Sequence, residues 1–397
     1  MTFIDSHRTT GIGWLVCLML VTFAIGTDDF IIAGILPEIA QDLQVSEASA
    51  GQLVTAFSIT YALAAPPLAV AMARLPRKTL VTGGLGLFAV INVLTALAPN
   101  YATVMLLRLI AALIAAAISP AVFGMAARLS HPDRVGRSLG IVAAGLTVSL
   151  FAGVPLGSLL ATNFGWRSTF LTVAVFTLLV LLLCAAMLPQ LPGAPEIGVR
   201  AQLRILSRPA VLTCVLGTVM GASGGLLIYT YIGPITRDLS GSGGTVLAGF
   251  ITVVGLAGAL GTFVGGRLTD RWGADRALLG AFSLLAAAVL ALAVIGFMGT
   301  GPAPVWIVAL ALAAYGFAGW GFNPPMNARA LQLAEDAGTE AVALNTSALY
   351  VGISIAGGLG GVSVAAYGGH GAAVTATLIC LITLSVMTAM VRRYPSK

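Results

Sequence analysis

Two adjacent carboxylates, Asp28 and Asp29, stand inside one long apolar run, and a single guanidinium, Arg108, stands inside another. A charge at the centre of a bilayer-spanning segment costs about 2.5–3.5 kcal/mol on insertion scales, so such residues mark a pathway or a partner. Every other acid falls in a connecting segment or at the end of an apolar run. A carboxylate within a hydrocarbon barrier changes its charge by taking up a proton, and a neighbouring guanidinium opposes that uptake. The chemistry on offer is therefore proton carriage. At 1.5 Å per residue, Asp29 lies about 10 Å from one end of its run and Arg108 about 9 Å from the same side. Equal depth permits an ion pair if the two runs are neighbours, either as a static helix tie or as a switch in a pathway. Consecutive helical residues point about 100° apart, so Asp28 and Asp29 should not share one partner.

Other chemistries find no support. The three histidines, His7, His131 and His370, lie in the leading segment or in connections, so carboxylates must carry any proton inside the barrier. Cys17, Cys184, Cys214 and Cys380 are scattered within apolar runs, without metal-ligand spacing or a disulfide framework. No catalytic residue, metal site, cofactor or nucleic-acid partner is expected. The expected partners are a small molecule, protons and the lipid bilayer, and the expected assembly is a monomer.

Of 397 residues, 58% are hydrophobic and only 9% charged, against about 25% charged in a soluble domain. Twelve runs approach the roughly 20 residues needed to cross a bilayer: 13–36, 51–73, 79–98, 102–127, 139–161, 168–188, 210–232, 246–268, 276–298, 305–328, 342–366 and 371–391. The first continues past signal-peptide length and is expected to stay as an uncleaved span. The fold class expected is an all-α membrane protein of twelve helices. Pro324 and Pro325 interrupt the tenth run, and four glycines between Gly357 and Gly361 soften the eleventh.

Lys and Arg alternate strictly with the spans. One set of connections carries Arg8; Arg74, Arg77, Lys78; Arg128, Arg134, Arg137; Arg200, Arg204, Arg208; Arg267, Arg271, Arg276; Arg329; and Arg392, Arg393, Lys397. The other set carries only Arg167 and Arg237. The positive-inside rule places the first set, and both termini, in the cytoplasm. The longest polar connection, at about 190–208, divides the chain into an N-terminal half (1–189) and a C-terminal half (209–397) of six spans each. Such a division suggests two repeats about a central site.

Tyr61, Tyr229, Tyr231, Trp320, Asn323, Asn327, Asn345 and Tyr350 are polar or aromatic groups within spans. They are suited to line a cavity, and equally to interfacial belts or interhelical hydrogen bonds. Tyr229 and Tyr231 lie about 200° apart on a helix, so one of them at most faces a central pathway. Gly145, Gly153, Pro155 and Gly157 in the fifth span combine close helix approach with a kink.

The segment Gly265-Gly266-Arg267-Leu268-Thr269-Asp270-Arg271-Trp272-Gly273-Ala274-Asp275-Arg276 resembles the loop motif G-x-x-x-D-R-x-G-R-R of the major facilitator superfamily, in its second-half position. The first-half copy keeps Arg74, Arg77 and Lys78 but has Ala73 for the acid and Pro76 for the glycine. The stretch Ile25 to Phe30, continued by Gly34 to Leu43, resembles the first span of the twelve-span drug:proton antiporter branch, where an acid is usual at Asp29 and Asp28 is a departure. Leu107-Arg108 resembles that branch's buried arginine, and Gly145 with Gly153-Val154-Pro155-Leu156-Gly157 resembles its Gly-Pro motif. Tyr229-Thr230-Tyr231-Ile232 and Asn345-Thr346-Ser347-Ala348 also resemble a metabolite-efflux branch.

The resemblance implies a proton-coupled exporter of a drug or antibiotic-like compound, working by alternating access in the inner membrane. The alternative is an exporter of sugars, nucleosides or amino acids. Asp29 would be the coupling acid with Arg108, Asp28 lesser. Gly266, Asp270, Arg271, Gly273 and Arg276, with Arg74 and Arg77, would serve gating, and Asp270 would latch the cytoplasmic side.

The charge map is testable by single-cysteine labelling in a background lacking the four native cysteines. A cysteine at position 200 should resist an impermeant maleimide applied to intact cells, whereas one at 237 should react. Labelling of position 200 from outside would overturn the map.

Overall fold

The computed structural model describes residues 12–131, 135–193, 207–298, 301–334 and 338–396. The first group of helices is α1 (Gly13–Asp42), α2 (Glu47–Ala71), α3 (Arg77–Ala96), α4 (Tyr101–Leu129), α5 (Val135–Val148), α6 (Val154–Phe164) and α7 (Trp166–Met187). A π-helical turn, Ser149–Gly153, joins α5 to α6 within one crossing. The second group is α8 (Pro209–Thr230), α9 (Ile232–Ser240), α10 (Thr245–Trp272), α11 (Ala274–Met298), α12 (Val305–Gly321), α13 (Asn323–Ala334) and α14 (Gly338–Arg393).

Among the described residues, eleven continuous helical stretches are long and apolar enough to cross a membrane. The last of them makes two crossings. α14 has 56 residues, about 84 Å at 1.5 Å each, and it bends at Gly368, where φ is 67° and ψ is −163°. A side chain would strain this backbone, and glycine does not. Twelve crossings result. The protein is an all-α, multi-pass membrane protein.

The helices overrun the apolar limits read from sequence. α1 continues through Pro37 to Asp42, past the limit at Leu36. Its last turn is held by the Asp42 carboxylate, which accepts from Trp166 Nε1 at 3.0 Å and pairs with Arg167. Hydropathy marks where hydrocarbon ends, and capping and side-chain contacts mark where a helix ends. The start of α2 is set by Ser46, whose hydroxyl accepts from Ser49 N, and that of α4 by Asn100, whose side chain accepts from Thr103 N. The tenth crossing breaks at Phe322, just before Pro324 and Pro325, while the glycines of the eleventh leave it helical.

Glycine sets how closely the central helices approach. A methyl group at Gly145 would strike the Thr22 side chain and the backbone of Met19 and Phe23; at Gly153 it would strike Thr27, and at Gly157 Ile31. Spaced by eight and four residues, these glycines form one face of the fifth crossing laid against α1. The π turn falls immediately before Pro155, where the missing N–H withdraws a helical hydrogen bond. Where a kink is expected, the helix shows a local π-helical widening.

The molecule has two ends, named here for Arg237 and Arg271. At the Arg237 end the two groups are locked together. Across the groups, Arg237 pairs with Glu47 and Gln52 donates to Gly357 O at 3.3 Å; within the second group, Tyr231 donates its hydroxyl to the same carbonyl at 2.7 Å. At the Arg271 end the ion pair among the described residues, Arg329 with Asp275, stays within the second group.

Gly145→Ala should lower thermal stability in detergent, because backbone atoms of α1 cannot yield to the new methyl group; overpacking costs about 1–3 kcal/mol. Gly140→Ala, facing open space, should leave the melting temperature unchanged. Equal melting of the two variants would refute the packing role.

Candidate functional site

α1 runs through the centre of the bundle and contacts members of both groups. Asp28, Asp29 and Arg108 are each only 1% exposed. Arg108 Nη1 donates to Asp28 Oδ2 at 2.7 Å and to the Asp28 carbonyl at 3.1 Å. The guanidinium stacks on Phe57, 4.4 Å from the ring centroid, which gives a desolvated cation a favourable face. Arg108 thus grips both the side chain and the backbone of Asp28. The expected pairing of Arg108 with Asp29 is corrected: the ion pair is with Asp28. The reason is the 100° helical step already noted, which turns one acid toward α4 and the other away.

Asp29 faces the junction of the two groups instead. Its carboxyl interacts with the Tyr350 side chain from α14, while its Oδ2 has no hydrogen-bond partner. It lines a pocket with Phe30, Ala33, Val54, Leu226, Tyr229, Thr230 and Ile353. A second pocket, bounded by Phe30, Leu226, Gly221, Gly225, Tyr315, Trp320, Phe322 and Asn323 among others, shares Phe30 and Leu226 with the first. The two pockets adjoin at these residues.

Aromatic rings frame that space. Tyr61 from α2 stacks on Tyr350, centroids 3.9 Å apart. Tyr229 meets Phe30 edge-on at 5.9 Å and Trp320 at 5.6 Å. Of the residues expected to line a cavity, Tyr229, Trp320 and Asn323 line these two pockets, and Tyr61 and Tyr350 stack on each other beside Asp29. Tyr231 lines neither pocket. The helix breaks at this residue, and its hydroxyl goes to Gly357 O within the second group. Asn345 is tied between helices, donating to Asn327 at 2.9 Å and accepting from Thr218 at 2.6 Å; its amide is spent on packing. Phe30, Phe57, Tyr315 and Phe322 were missed. Phe57 had a readable signal, one helical turn before Tyr61 on the same face.

The residues expected to serve gating sit at the Arg271 end. Asp270, Arg271 and Arg276 are exposed, and no latch by Asp270 exists in this conformation among the described residues. Asp275 holds the carboxylate role there, pairing with the fully buried Arg329 and accepting from Ser396 N at 2.7 Å. Gly273 turns the chain between α10 and α11 with φ of 82°, and Gly266 faces open space. Arg74 is exposed and partnered, and the Arg77 backbone N–H donates to Leu191 O at 2.9 Å. Arg137's side chain, Arg134 and Arg200 lie outside the described residues.

Comparisons with known proteins agree with this architecture. The family model described as Major Facilitator Superfamily matches residues 18–339. The MFS-type transporter YbcL of Bacillus subtilis is 30% identical over 347 residues, 87% of either chain. The chloramphenicol resistance protein of Streptomyces lividans is 33% identical over 264 residues, covering 65% of this chain and 67% of that one. A probable sugar efflux transporter of Mannheimia succiniciproducens is 26% identical, covering 85% and 84%. The crystal structure of a bacterial homolog of the human lysosomal transporter Spinster, inward-facing and unoccupied, superposes with a TM-score of 0.75 at 17% identity, covering 96% and 97%.

If Asp28 and Arg108 form an obligate pair, Asp28→Asn and Arg108→Met should each destabilise the protein by about 3–5 kcal/mol. The double variant should recover much of that loss. Asp29→Asn, which breaks no ion pair, should melt near the parent. Additive losses in the Asp28/Arg108 cycle would refute the pairing.

Proposed function

This chain belongs to the Major Facilitator Superfamily and is a membrane transporter rather than an enzyme; from that premise we propose that it is a proton-coupled exporter working by alternating access, with Asp29 as its proton carrier. The observation that carries the reading is the shared space: the unpaired carboxylate oxygen of Asp29 opens onto the same aromatic pocket that would hold a substrate. Proton and substrate then compete for one site, which is what exchange requires.

The substrate class we favour is a small metabolite, a sugar, nucleoside or amino acid. Ring faces with scattered hydroxyl and amide groups suit a compact polar molecule with an apolar side, and the relative named for sugar efflux matches most of both chains. A drug or antibiotic-like compound is the second reading, favoured by the relative named for chloramphenicol resistance. One unit of pH gradient provides about 1.4 kcal/mol and 100 mV about 2.3 kcal/mol per charge, enough to hold a compound several hundredfold out of balance.

The two helix groups would be the rocking halves, joined by the connection at 190–208. The charge asymmetry assigns the Arg271 end, both termini and that connection to the cytoplasm of an inner membrane. The locked Arg237 end would then face outward, and the conformation is closed to the outside. Asp270, free here, would engage when the Arg271 end closes.

Uptake into inverted vesicles, with sugars, nucleosides and drugs as probes, tests the reading. An imposed inward-acid gradient should drive accumulation by the parent. Asp29→Asn should abolish that accumulation and leave energy-independent exchange. Gradient-driven transport by Asp29→Asn at the parental level would move the proton site elsewhere.

A further inference from the structure

Three buried side chains near the pocket carry polar atoms without hydrogen-bond partners. Asp29 Oδ2 has no donor, the Tyr229 hydroxyl has no partner, and both residues line the same small pocket. Asp29 and Tyr229 are 1% and 2% exposed, so bulk water does not satisfy them in the way it satisfies a surface group. Arg108, the third, has its Nε and Nη2 without hydrogen-bond partners but lies over the Phe57 ring. That leaves one acceptor and one hydroxyl, on α1 and α8, as an open pair across the junction of the helix groups.

We propose that Asp29 and Tyr229 form a two-point reader for an alcohol group, so that the transported molecule is a neutral, hydroxyl-bearing compound with a flat or apolar body. The inference rests on the reading of Asp29 as the proton site and gives that site its substrate chemistry. The ligand hydroxyl donates its proton to Asp29 Oδ2 and accepts from the Tyr229 hydroxyl. A hydroxyl has both capacities at one atom, whereas an ammonium group can only donate. The body of the molecule extends past Phe30 into the neighbouring space between Trp320 and Phe322. Gly225 and Gly319 border that space, and a methyl group on either would find its nearest neighbour 3.8 and 3.6 Å away, so neither position is crowded.

Charge favours neutrality of the ligand as well. Asp28 and Arg108 cancel each other, and the remaining groups facing Asp29 are the hydroxyls of Tyr61 from α2, Tyr229 from α8 and Tyr350 from α14. With Asp29 ionised, the acceptor is free and the alcohol binds. With Asp29 protonated, one oxygen carries the proton and the alcohol loses its acceptor. Substrate affinity therefore falls as pH falls, and the fall disappears in Asp29→Asn.

Calorimetric titration of the purified full-length transporter tests this with three probes: 4-nitrophenyl β-glucoside, its per-O-methyl ether, and 4-nitrophenethylamine. The free glucoside should bind the parent at least tenfold more tightly than the methyl ether, the loss expected for a hydrogen bond to a charged group. Asp29→Asn should shrink that ratio to about threefold or less with the methyl ether's own affinity unchanged, whereas Tyr229→Phe should weaken both probes, because an ether oxygen still accepts from the Tyr229 hydroxyl. Equal binding of glucoside and methyl ether, no binding of the glucoside, or tighter binding of the amine than of the glucoside would each overturn the alcohol reader. Should one of these occur while Asp29→Asn still abolishes gradient-driven transport in vesicles, proton coupling at Asp29 stands and only the substrate class falls.

Discussion

An ionised group inside an apolar bundle must be matched, and this requirement organises the centre of the molecule. Arg108 cannot shed its charge, so the helices around it are arranged to supply Asp28 Oδ2, the Asp28 carbonyl and the Phe57 ring. That arrangement fixes the rotation of α1 about its own axis. Once Asp28 is turned toward α4, the next residue must face away, into the junction with α8 and α14. The position of Asp29 is thus a geometric consequence of where Arg108 binds. A pair of acids with similar neighbours in sequence is divided by one helical step into a structural member and a chemically available one.

Close approach of helices makes the division possible. Lipid offers no hydrophobic drive for one helix to prefer another, so packing and backbone proximity decide. Gly145, Gly153 and Gly157 bring the fifth crossing against α1 along the stretch that contains both acids. The π turn before Pro155 sits at the depth of Thr27, next to Asp28. A helix widened at that level absorbs the lost hydrogen bond without losing the glycine face. The acids of α1 are consequently held from one side by a charge pair and from the other by tight packing.

Much of this was legible in the sequence. The twelve crossings followed from apolar run length, because the cost of an unpaired backbone in lipid leaves few alternatives. The intramembrane charges allowed an ion pair between the first and fourth runs on the condition that they are neighbours, and α1 does pack against α4. The partner of Arg108 was misread because depth was estimated from the ends of apolar runs, and depth alone does not resolve which face of α1 a residue occupies. Resemblance then favoured Asp29 for both roles. The pocket aromatics Phe30 and Phe322 were not legible because phenylalanine is the ordinary currency of any membrane helix. The lock at Gly357 was hidden for a different reason: it uses a backbone carbonyl, which no residue type announces.

The break in the seventh crossing ties the lock to the pocket. Had α8 run on without interruption, Tyr229 and Tyr231 would have pointed to nearly opposite sides of one rigid rod. Instead Tyr231 leaves the helical conformation, at φ −108° and ψ 28°, and α9 restarts immediately after it. Tyr231 holds Gly357 O of its own group, the carbonyl that Gln52 addresses across the groups from α2. Tyr229, two residues earlier, stays in the pocket beside Asp29, Phe30 and Trp320. Tyr229 and Tyr231 are thus held on either side of one break in the helix, the first at the pocket and the second at the carbonyl that Gln52 grips. The contacts that opening of the Arg237 end must break are those that cross the groups, Gln52 to Gly357 and Arg237 to Glu47, and Tyr231 fixes the second group's side of the first by holding the same carbonyl.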